Sequence, residues 1–207
     1  MTERLFCPAC ASSAGRDAYD VNGFRIRKCA CCGSLYVRNV PGRSSLDQIY
    51  LDQEYYSLDD QSVRRLLEEH RRRLGIVQGF SRPGRVLDVG CATGLFLDEA
   101  AGAGYETFGI ELSPRNAALA QGKGHKVFVG SLAKYVLSNP RDRFSLITCL
   151  DVIEHVESPL KFMQMLLAQL SVNGMLVIST PNYSGVVAKV LGERDVFLIP
   201  PEHLNFF

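Results

Sequence analysis

The sequence predicts an α/β fold, in which helices cover both faces of a doubly wound, mostly parallel sheet that follows a small cysteine-rich module. Three observations support this prediction. From residue 84 onward, short apolar runs alternate with helical patterns, which is the arrangement of a doubly wound sheet. A glycine-containing turn follows the first apolar run, and five of the seven cysteines lie within the first 32 residues.

Length and composition favour one full domain with a small appendage. The chain has 207 residues, of which 46% are hydrophobic and 22% charged, and its formal net charge is +1. Such a protein is globular and has enough apolar material for a core. The charge gives no general attraction to nucleic acid or to an anionic membrane, so neither partner is expected. The sequence has no run of membrane-span length and no signal-peptide pattern, so we expect a cytoplasmic protein.

Two C-x2-C pairs near the amino terminus predict a metal site. Cys7 and Cys10 form the first pair, and Cys29 and Cys32 form the second, with 18 residues between the pairs. Two such turns present four thiolates, the ligand set of a tetrahedral zinc site. Because four cysteines leave no open position, we expect the zinc to be structural. The alternatives are reduced thiols without metal, or replacement of a neighbouring ligand by Cys31.

The remaining pattern predicts the order of the elements. Strands are expected at 85–89, 106–110, 126–129, 144–150 and 175–180, and helices at 62–77, 94–103, 114–123, 131–138 and 159–171. Asn22-Gly23 predicts the turn of a small hairpin between the cysteine pairs. We therefore divide the chain into a zinc-ribbon-like module at 1–42, a helical connector or lid at 43–83, and an α/β domain at 84–207.

The first apolar run leads into a turn suited to an anionic ligand. Val86–Val89 predicts a buried strand that carries Asp88, and the turn after it contains Gly90 and Gly94. A strand, a glycine turn and a helix start together point backbone N–H groups at a ligand. Glu111 lies 21 residues after Gly90, at the end of the second apolar run. A Rossmann-like sheet places there the acid that bonds ribose hydroxyls.

The glycine spacing distinguishes between two cofactors. Three residues separate Gly90 from Gly94, unlike the G-x-G-x-x-G pattern that approaches a pyrophosphate. The loop resembles motif I of the class I S-adenosylmethionine-dependent methyltransferases, although Ala92 stands where many members have glycine. The resemblance implies a cofactor site formed by Asp88, Gly90, Cys91, Ala92, Gly94, Glu111, Leu112, Ser131, Leu132 and Leu150. In that family the glycine turn approaches the methionine part of the cofactor.

The end of the third predicted strand has two interpretations. In the family, a residue at the position of Ser131 or Leu132 faces the adenine, and it is often an acid. Ser131 replaces that acid here, so the resemblance implies an adenine contact through backbone groups and Leu132. Alternatively, Ser131 caps the helix that follows it. Both interpretations are compatible with each other.

A second motif follows the fourth predicted strand. The segment Asp151-Val-Ile-Glu154-His155-Val156 resembles a motif of a methyltransferase branch that includes ubiquinone-type O-methyltransferases and sugar C- or O-methyltransferases. His155 is the candidate general base, because an imidazole titrates near neutral pH and accepts a hydroxyl proton. Alternatively, His155 bonds the neighbouring loop and never meets substrate.

The end of the chain departs from the family's usual length. Only 27 residues follow Thr180, which is too few for the antiparallel hairpin that usually follows the fifth strand. We therefore expect a carboxyl-terminally incomplete methyltransferase domain at 84–207. Pro200–Phe207 resembles a segment that borders the acceptor pocket in this branch, and the alternative is a disordered tail.

Three functions remain open from the sequence. The first is transfer of a methyl group to oxygen or carbon of a small-molecule acceptor such as a sugar, polyketide or quinone-like metabolite. The second is an RNA methyltransferase whose zinc module binds RNA, because residues 1–45 hold seven Arg and Lys against three acids. The third is a non-enzymatic protein that binds S-adenosylmethionine or interacts through zinc. The oligomeric state is not indicated.

Overall fold

The computed structural model describes residues 1–42, 46, 59–80 and 82–207. The strands are β1 Thr2–Glu3, β2 Gly15–Val21, β3 Phe24–Cys29, β4 Leu35–Val37, β5 Asn39–Val40, β6 Arg85–Val89, β7 Glu106–Glu111, β8 Lys126–Val129, β9 Phe144–Leu150, β10 Leu170–Ser179 and β11 Asn205–Phe206. The helices are α1 Asp60–Gln78, α2 Leu95–Gly102, α3 Pro114–Gly122, α4 Leu132–Ser138, α5 Pro159–Ala168 and α6 Val186–Leu191. Much of the predicted connector or lid, at 43–45, 47–58 and 81, lies outside the described residues.

Contacts between described residues divide the chain into two compact units. The first consists of Met1–Ile49, Asp151–Met163 and Ser179–Phe207, and the second of Tyr50–Leu150 and Gln164–Ile178, each as far as its residues are described. Segments that are distant in sequence thus belong to one unit. The boundaries at 42 and 83, which the sequence suggests, stay predictions.

The second unit contains the predicted parallel sheet. Its strand order is β10-β9-β6-β7-β8, and β6 pairs in parallel with both β7 and β9. The chain leaves β6 toward β7 and β8 and then continues on the other side of β6 with β9 and β10. The order reverses beside β6, and in open α/β sheets ligands bind at the carboxyl ends of the strands at such a point. The α/β, doubly wound fold class is confirmed.

The predicted bounds are wrong at the last strand of this sheet. Strand β10 begins at Leu170 rather than at 175, and α5 ends at Ala168 rather than at 171. Pairing explains the difference, because the Phe144 amide donates to the Gln169 carbonyl at 2.9 Å and the ladder with β9 therefore starts there. Gly174 then comes so close to β9 that a Cβ would lie 2.9 Å from the Phe144 carbonyl oxygen.

The core of the second unit lies between the sheet and its helices. Val86, Leu87 and Leu146 of the central strands are completely buried, as expected for parallel strands that are covered on both faces. Leu74 and Val77 of α1 belong to the same apolar cluster. Helix α1 begins at an Asp59 cap whose carboxylate accepts from the Ser62 amide at 2.8 Å. The helix predicted at 62–77 is confirmed as α1, and its role as a connector or lid stays a prediction.

The first unit contains a four-stranded antiparallel sheet with the order β11-β4-β3-β2. The predicted hairpin turn joins β2 to β3, and Asn22 and Gly23 both have positive φ, at 52° and 79°, as a two-residue type I′ turn requires. The last strand, β11, pairs with β4 through Asn205↔Tyr36 and Phe206↔Leu35. The residues at 205–206 thus form the edge strand of the sheet of the cysteine-rich module, and the interpretation of 200–207 as a disordered tail is wrong.

Among the described residues, no helix combines the length and apolar character that crossing a membrane requires.

We expect Gly94→Ala to lower the free energy of unfolding by about 1–3 kcal/mol, because a non-glycine residue is strained in the left-handed region. Gly94 has φ +81°, and a Cβ would lie 3.0 Å from both Ala120 Cβ and His125 Cδ2. Urea titration followed by circular dichroism measures the loss. Gly102→Ala is the matched control, since a Cβ at that helical position meets nothing within 4 Å. Equal stability of the two variants would contradict the argument.

Candidate functional site

The glycine turn lies at the carboxyl edge of the parallel sheet, directly after β6. Gly90 and Gly94 have φ values of 79° and 81°, a region that glycine enters without steric cost. The Gly90 amide donates to the Ile110 carbonyl at 2.8 Å, which ties the turn to the end of β7. Helix α2 begins at Leu95 with Gly94 as its cap. The turn therefore connects the end of β6 directly to the start of α2, as the sequence predicts.

Two non-glycine residues complete this turn. Ala92 has a positive φ of 47°, which fits the family's preference for glycine at this position. Cys91 is buried, and a Cβ on Gly109 would lie 2.5 Å from its sulfur. Its thiol therefore packs toward β7, and burial keeps it protonated by raising its pKa far above the ordinary value. The role of Cys91 at the cofactor stays a prediction.

The Glu111 carboxylate is held above the turn by two backbone amides. Ala92 N donates to Oε2 at 2.9 Å, and Ser113 N donates to Oε1 at 2.8 Å. Glu111 is the last residue of β7, which pairs with β6 and β8 in parallel register. Each oxygen keeps a second lone pair, so the carboxylate is oriented and still able to accept from hydroxyl groups.

Asp88 lies beneath the turn as a buried carboxylate. It is 4% exposed and accepts a hydrogen bond from Thr148 Oγ1 at 2.7 Å. Burial raises the pKa of Asp88 to about 7, the Thr148 hydrogen bond opposes this shift, and the negative charge of Glu111 adds to it. A group with this pKa is stabilised in its ionised form by a cation close to it. The Glu111 carboxylate, together with Asp88 when it is ionised, gives this end of the sheet a negative character.

The other predicted cofactor residues follow the same edge of the sheet. Ser131 caps α4, because its Oγ accepts from the Lys134 amide at 3.4 Å. Leu132 is buried, whereas Leu112 is 43% exposed. Leu150 ends β9 and is half-buried. The cap interpretation of Ser131 is confirmed, and the adenine contacts implied by the family stay predictions.

The segment after β9 forms a cluster of titratable groups within the first unit. One ring nitrogen of His155, one of His203 and a carboxylate oxygen of Glu154 all lie within 4.8 Å of one another. The two rings meet edge to face, with centroids 4.8 Å apart. Glu154 Oε2 accepts from Thr180 Oγ1 at 3.1 Å. The structure thus places Glu154 and His203 beside His155, the candidate base that the sequence identifies.

The hydrogen bonds of the two rings define their tautomers. His155 Nδ1 lies 2.8 Å from the Glu202 carbonyl oxygen, and His203 Nδ1 lies 2.8 Å from the Phe197 carbonyl oxygen. Because a carbonyl oxygen only accepts, each Nδ1 carries the proton, and Nε2 is the basic nitrogen of each neutral ring. His155 thus bonds a neighbouring loop, and its contact with substrate and its role as a base stay predictions.

Burial sets the protonation of this cluster. Desolvation lowers the pKa of His155 and of His203 below the ordinary value of 6.5, and repulsion between the two rings lowers the pKa of His203 further. Desolvation also raises the pKa of Glu154. Both imidazoles are therefore neutral near pH 7, which is the state that accepts a proton.

The four predicted cysteine ligands come together in the first unit. Cys7 and Cys32 have their sulfurs 3.7 Å apart, Cys10 and Cys29 have theirs 3.6 Å apart, and all four sulfurs lie within 4.8 Å of one another. Tetrahedral zinc with Zn–S bonds of about 2.3 Å holds its sulfurs about 3.8 Å apart. None of the seven cysteines forms a disulfide, and Cys31 is exposed and outside the group. The donor set therefore fits zinc.

Sequence reasoning missed two supporting residues of the cofactor edge. Thr148 stands opposite Asp88 in the β6–β9 register, and this pairing is not visible in a linear motif. Ser113 caps α3 with its side chain, and its backbone amide also orients Glu111. The sequence predicts the strand that contains Thr148 and the helix that Ser113 caps. It does not predict which residues of neighbouring elements lie beside each other.

Known proteins resemble this chain in both sequence and fold. A family described as "Methyltransferase domain" matches residues 59–207. The ubiquinone biosynthesis O-methyltransferase of Bradyrhizobium diazoefficiens is 31% identical over 121 residues, which is 57% of this chain and 46% of that protein. The chain thus spans about half the length of the curated relatives it matches.

Two solved structures share the fold. A SAM-dependent methyltransferase from Archaeoglobus fulgidus aligns with a TM-score of 0.54 and 22% identity, over 66% of this chain and 61% of that one. The plantazolicin methyltransferase BpumL, in complex with a pentazolic desmethylPZN analog and SAH, aligns with a TM-score of 0.55 and 17% identity, over 74% and 63% of the two chains. With the family match over residues 59–207, the parallel sheet and the Glu111 geometry, the chain belongs to the class I S-adenosylmethionine-dependent methyltransferases.

Proposed function

We propose that this protein transfers a methyl group from S-adenosylmethionine to an oxygen or carbon atom of a small-molecule acceptor. The observation that carries the proposal is the Glu111 carboxylate, which two backbone amides orient beside a left-handed glycine turn. The curated relatives named as ubiquinone biosynthesis O-methyltransferases support an acceptor of this class. S-adenosylmethionine supplies a methyl group on a positively charged sulfur.

The proposed cofactor site uses three kinds of group. Glu111 accepts hydrogen bonds from the ribose hydroxyls, in the role that acids at this position have in Rossmann-like sheets. Backbone groups of the Gly90–Gly94 turn face the methionine part, because the left-handed glycines allow close approach. Asp88 and Glu111 together favour a ligand with positive charge, and binding of a cation would stabilise ionised Asp88. The residues present fit the cofactor.

His155 is the proposed general base for an oxygen acceptor. Its Nδ1–H is held by the Glu202 carbonyl, so Nε2 is the nitrogen that takes a proton. Burial keeps the ring neutral near pH 7, which is the state that a base needs. Methyl transfer is otherwise a displacement that requires alignment and exclusion of water rather than covalent chemistry by the protein.

The charges of the amino-terminal module favour a small acceptor over RNA. Arg38 lies 2.9 Å from Glu3 and 3.7 Å from Asp17, and Arg27 lies 3.6 Å from Asp17. Arg25 also pairs with Glu3. These acids neutralise part of the local positive charge, whereas RNA binding depends on basic groups that meet phosphates. We therefore propose that the module binds a structural zinc ion through Cys7, Cys10, Cys29 and Cys32 and that it does not bind RNA.

Glu111→Gln is expected to weaken S-adenosylmethionine binding about 10- to 100-fold, because hydrogen bonds to a charged group contribute about 1.5–3 kcal/mol. The amide would also turn an NH2 group toward one of the two backbone N–H donors. Calorimetric titration of the zinc-loaded protein measures the affinity. Glu106→Gln is the control, since Glu106 lies on the same strand and pairs with Lys126 at 2.6 Å. Equal affinity in the two variants would contradict the assignment of Glu111.

For an oxygen acceptor, His155→Ala should lower kcat about 10²- to 10⁴-fold, the usual contribution of a general base. The wild-type rate should persist below pH 6.5 and fall only as the pH passes through the lowered pKa of His155, because the base acts when neutral. Transfer of a radioactive methyl group to catechols and sugars across pH 5 to 8 checks both expectations. Unchanged kcat in the variant, with wild-type cofactor affinity, would exclude His155 as the base.

Zinc analysis by atomic absorption should find one ion per chain in the wild type and in Cys31→Ser, and a marked loss in Cys10→Ser. The reason is that Cys10 belongs to the four-sulfur group and Cys31 does not. Removal of a ligand also destabilises the fold around a structural zinc ion. Retention of zinc in Cys10→Ser with loss in Cys31→Ser would show that Cys31 is a ligand instead.

A further inference from the structure

We propose that Arg4 and Asn205 are positioning residues that hold the backbone on both sides of His155 and thereby fix the ring for proton transfer. The inference rests on the proposed role of His155 and concerns the first unit alone. It assigns a function to two side chains, of which Arg4 lies outside the recognised motifs and Asn205 lies within the Pro200–Phe207 segment. It also gives the cysteine-rich module a chemical purpose beyond its own stability.

Asn205 binds the carbonyl groups that flank His155. Its side chain is 2% exposed, and its Nδ2 donates to the Val156 carbonyl at 2.7 Å and lies 3.3 Å from the Glu154 carbonyl oxygen. Its backbone amide also donates to the Glu154 carbonyl at 3.0 Å. The residues immediately before and after His155 are thus held by one buried amide side chain.

Arg4 fixes the orientation of that amide. Its Nη1 donates to Asn205 Oδ1 at 3.3 Å and to the Leu204 carbonyl at 3.2 Å, while Nη2 donates to the Glu157 carbonyl at 2.7 Å. Burial lowers the pKa of Arg4 to about 10, so the guanidinium remains charged at neutral pH. A donor that faces Oδ1 leaves Nδ2 to face the carbonyl groups of the His155 segment.

The same contacts connect the segment to the cysteine-rich module. The Val37 amide donates to the Leu204 carbonyl at 3.0 Å, and the Leu160 amide lies 3.4 Å from the Pro8 carbonyl oxygen between Cys7 and Cys10. Strand β11, which carries Asn205, pairs with β4 of the module. The module therefore holds the C-terminal strand, and that strand holds the His155 segment.

The chemical consequence concerns the His155 tautomer. The Glu202 carbonyl, 2.8 Å from Nδ1, favours the tautomer with the proton on Nδ1, and Glu202 lies three residues before Asn205 on the same terminal segment. A small displacement of either backbone breaks this bond and permits the Nε2–H tautomer, which is no longer basic at Nε2. Small displacements of a catalytic group have large effects on the rate. Arg4 and Asn205 limit such displacements because they connect the backbone around His155 to the backbone of the terminal segment.

Nitrogen NMR of the imidazole groups tests this inference without an acceptor. The spectrum is recorded at pH 8, where the lowered pKa of His155 keeps its ring neutral. His155→Gln assigns the His155 signals among those of the four histidines of the chain, and the ¹⁵N shifts distinguish Nδ1–H from Nε2–H. We expect Nδ1–H in the wild type and a shift toward Nε2–H in Asn205→Asp and in Arg4→Lys. Asn205→Asp keeps the acceptor for Arg4 but replaces the donor to Val156, and Arg4→Lys keeps the charge but loses the planar fork.

Arg38→Ala is the matched control, because Arg38 is an arginine of the same module that pairs with Glu3 and Asp17. It should leave the His155 signals unchanged. Hydrogen exchange of the peptide that contains 151–157 should be faster in the two test variants than in this control. A variant that loses its cooperative unfolding transition is replaced by Asn205→Ser, which retains a small polar group.

Unchanged tautomer signals in folded Asn205→Asp and Arg4→Lys would overturn the proposal, as would an equal change in Arg38→Ala. These outcomes are separate from the failure of the proposed function. If His155→Ala transfers methyl groups at the wild-type rate, His155 is not the base, whatever its tautomer. If His155→Ala is inactive and the NMR signals stay unchanged, the base is correct and its positioning has another origin.

Discussion

The bond between the Glu111 carboxylate and the Ala92 amide joins the two sequence motifs on which the proposed cofactor site depends. It spans 2.9 Å between the end of β7 and the turn after β6. Parallel pairing of β6 with β7 brings these ends to one edge of the sheet, and the positive φ values of Gly90 and Ala92 turn the amide toward the acid. This hydrogen bond therefore depends on the sheet register, on the conformation of the glycine turn and on the position of the acid at the end of β7.

The two units are stabilised by different interactions. The second has a continuous apolar cluster around Val86, Leu97 and Leu146, all completely buried. The first contains an apolar cluster of Cys7, Cys29 and Tyr36, together with polar contacts such as those of Arg4 with Asn205. A short module has too little apolar area for a large core, so a four-thiolate metal site and the carboxyl-terminal strand are physically reasonable supplements.

Local patterns predicted the elements well where one periodicity dominates. Strands β6, β7, β8 and β9 follow from apolar β-branched runs, and the hairpin turn follows from Asn22-Gly23. The prediction was wrong at the start of β10, where an apolar segment fits both a helix and a strand. Pairing with Phe144 decided in favour of the strand. The tail at 200–207 was equally ambiguous, because short segments gain order only from the surface they pair with.

The sequence by itself determined the fold class, the glycine turn, the acid at Glu111 and the two cysteine pairs that come together, because each depends on residue type at a local spacing. Tertiary structure alone decided that Thr148 bonds Asp88, that His203 meets His155, and that Asn205 and Arg4 hold the His155 segment. These contacts join residues from about 50 to 200 positions apart along the chain. Their register arises from packing and strand pairing, which a linear pattern does not encode.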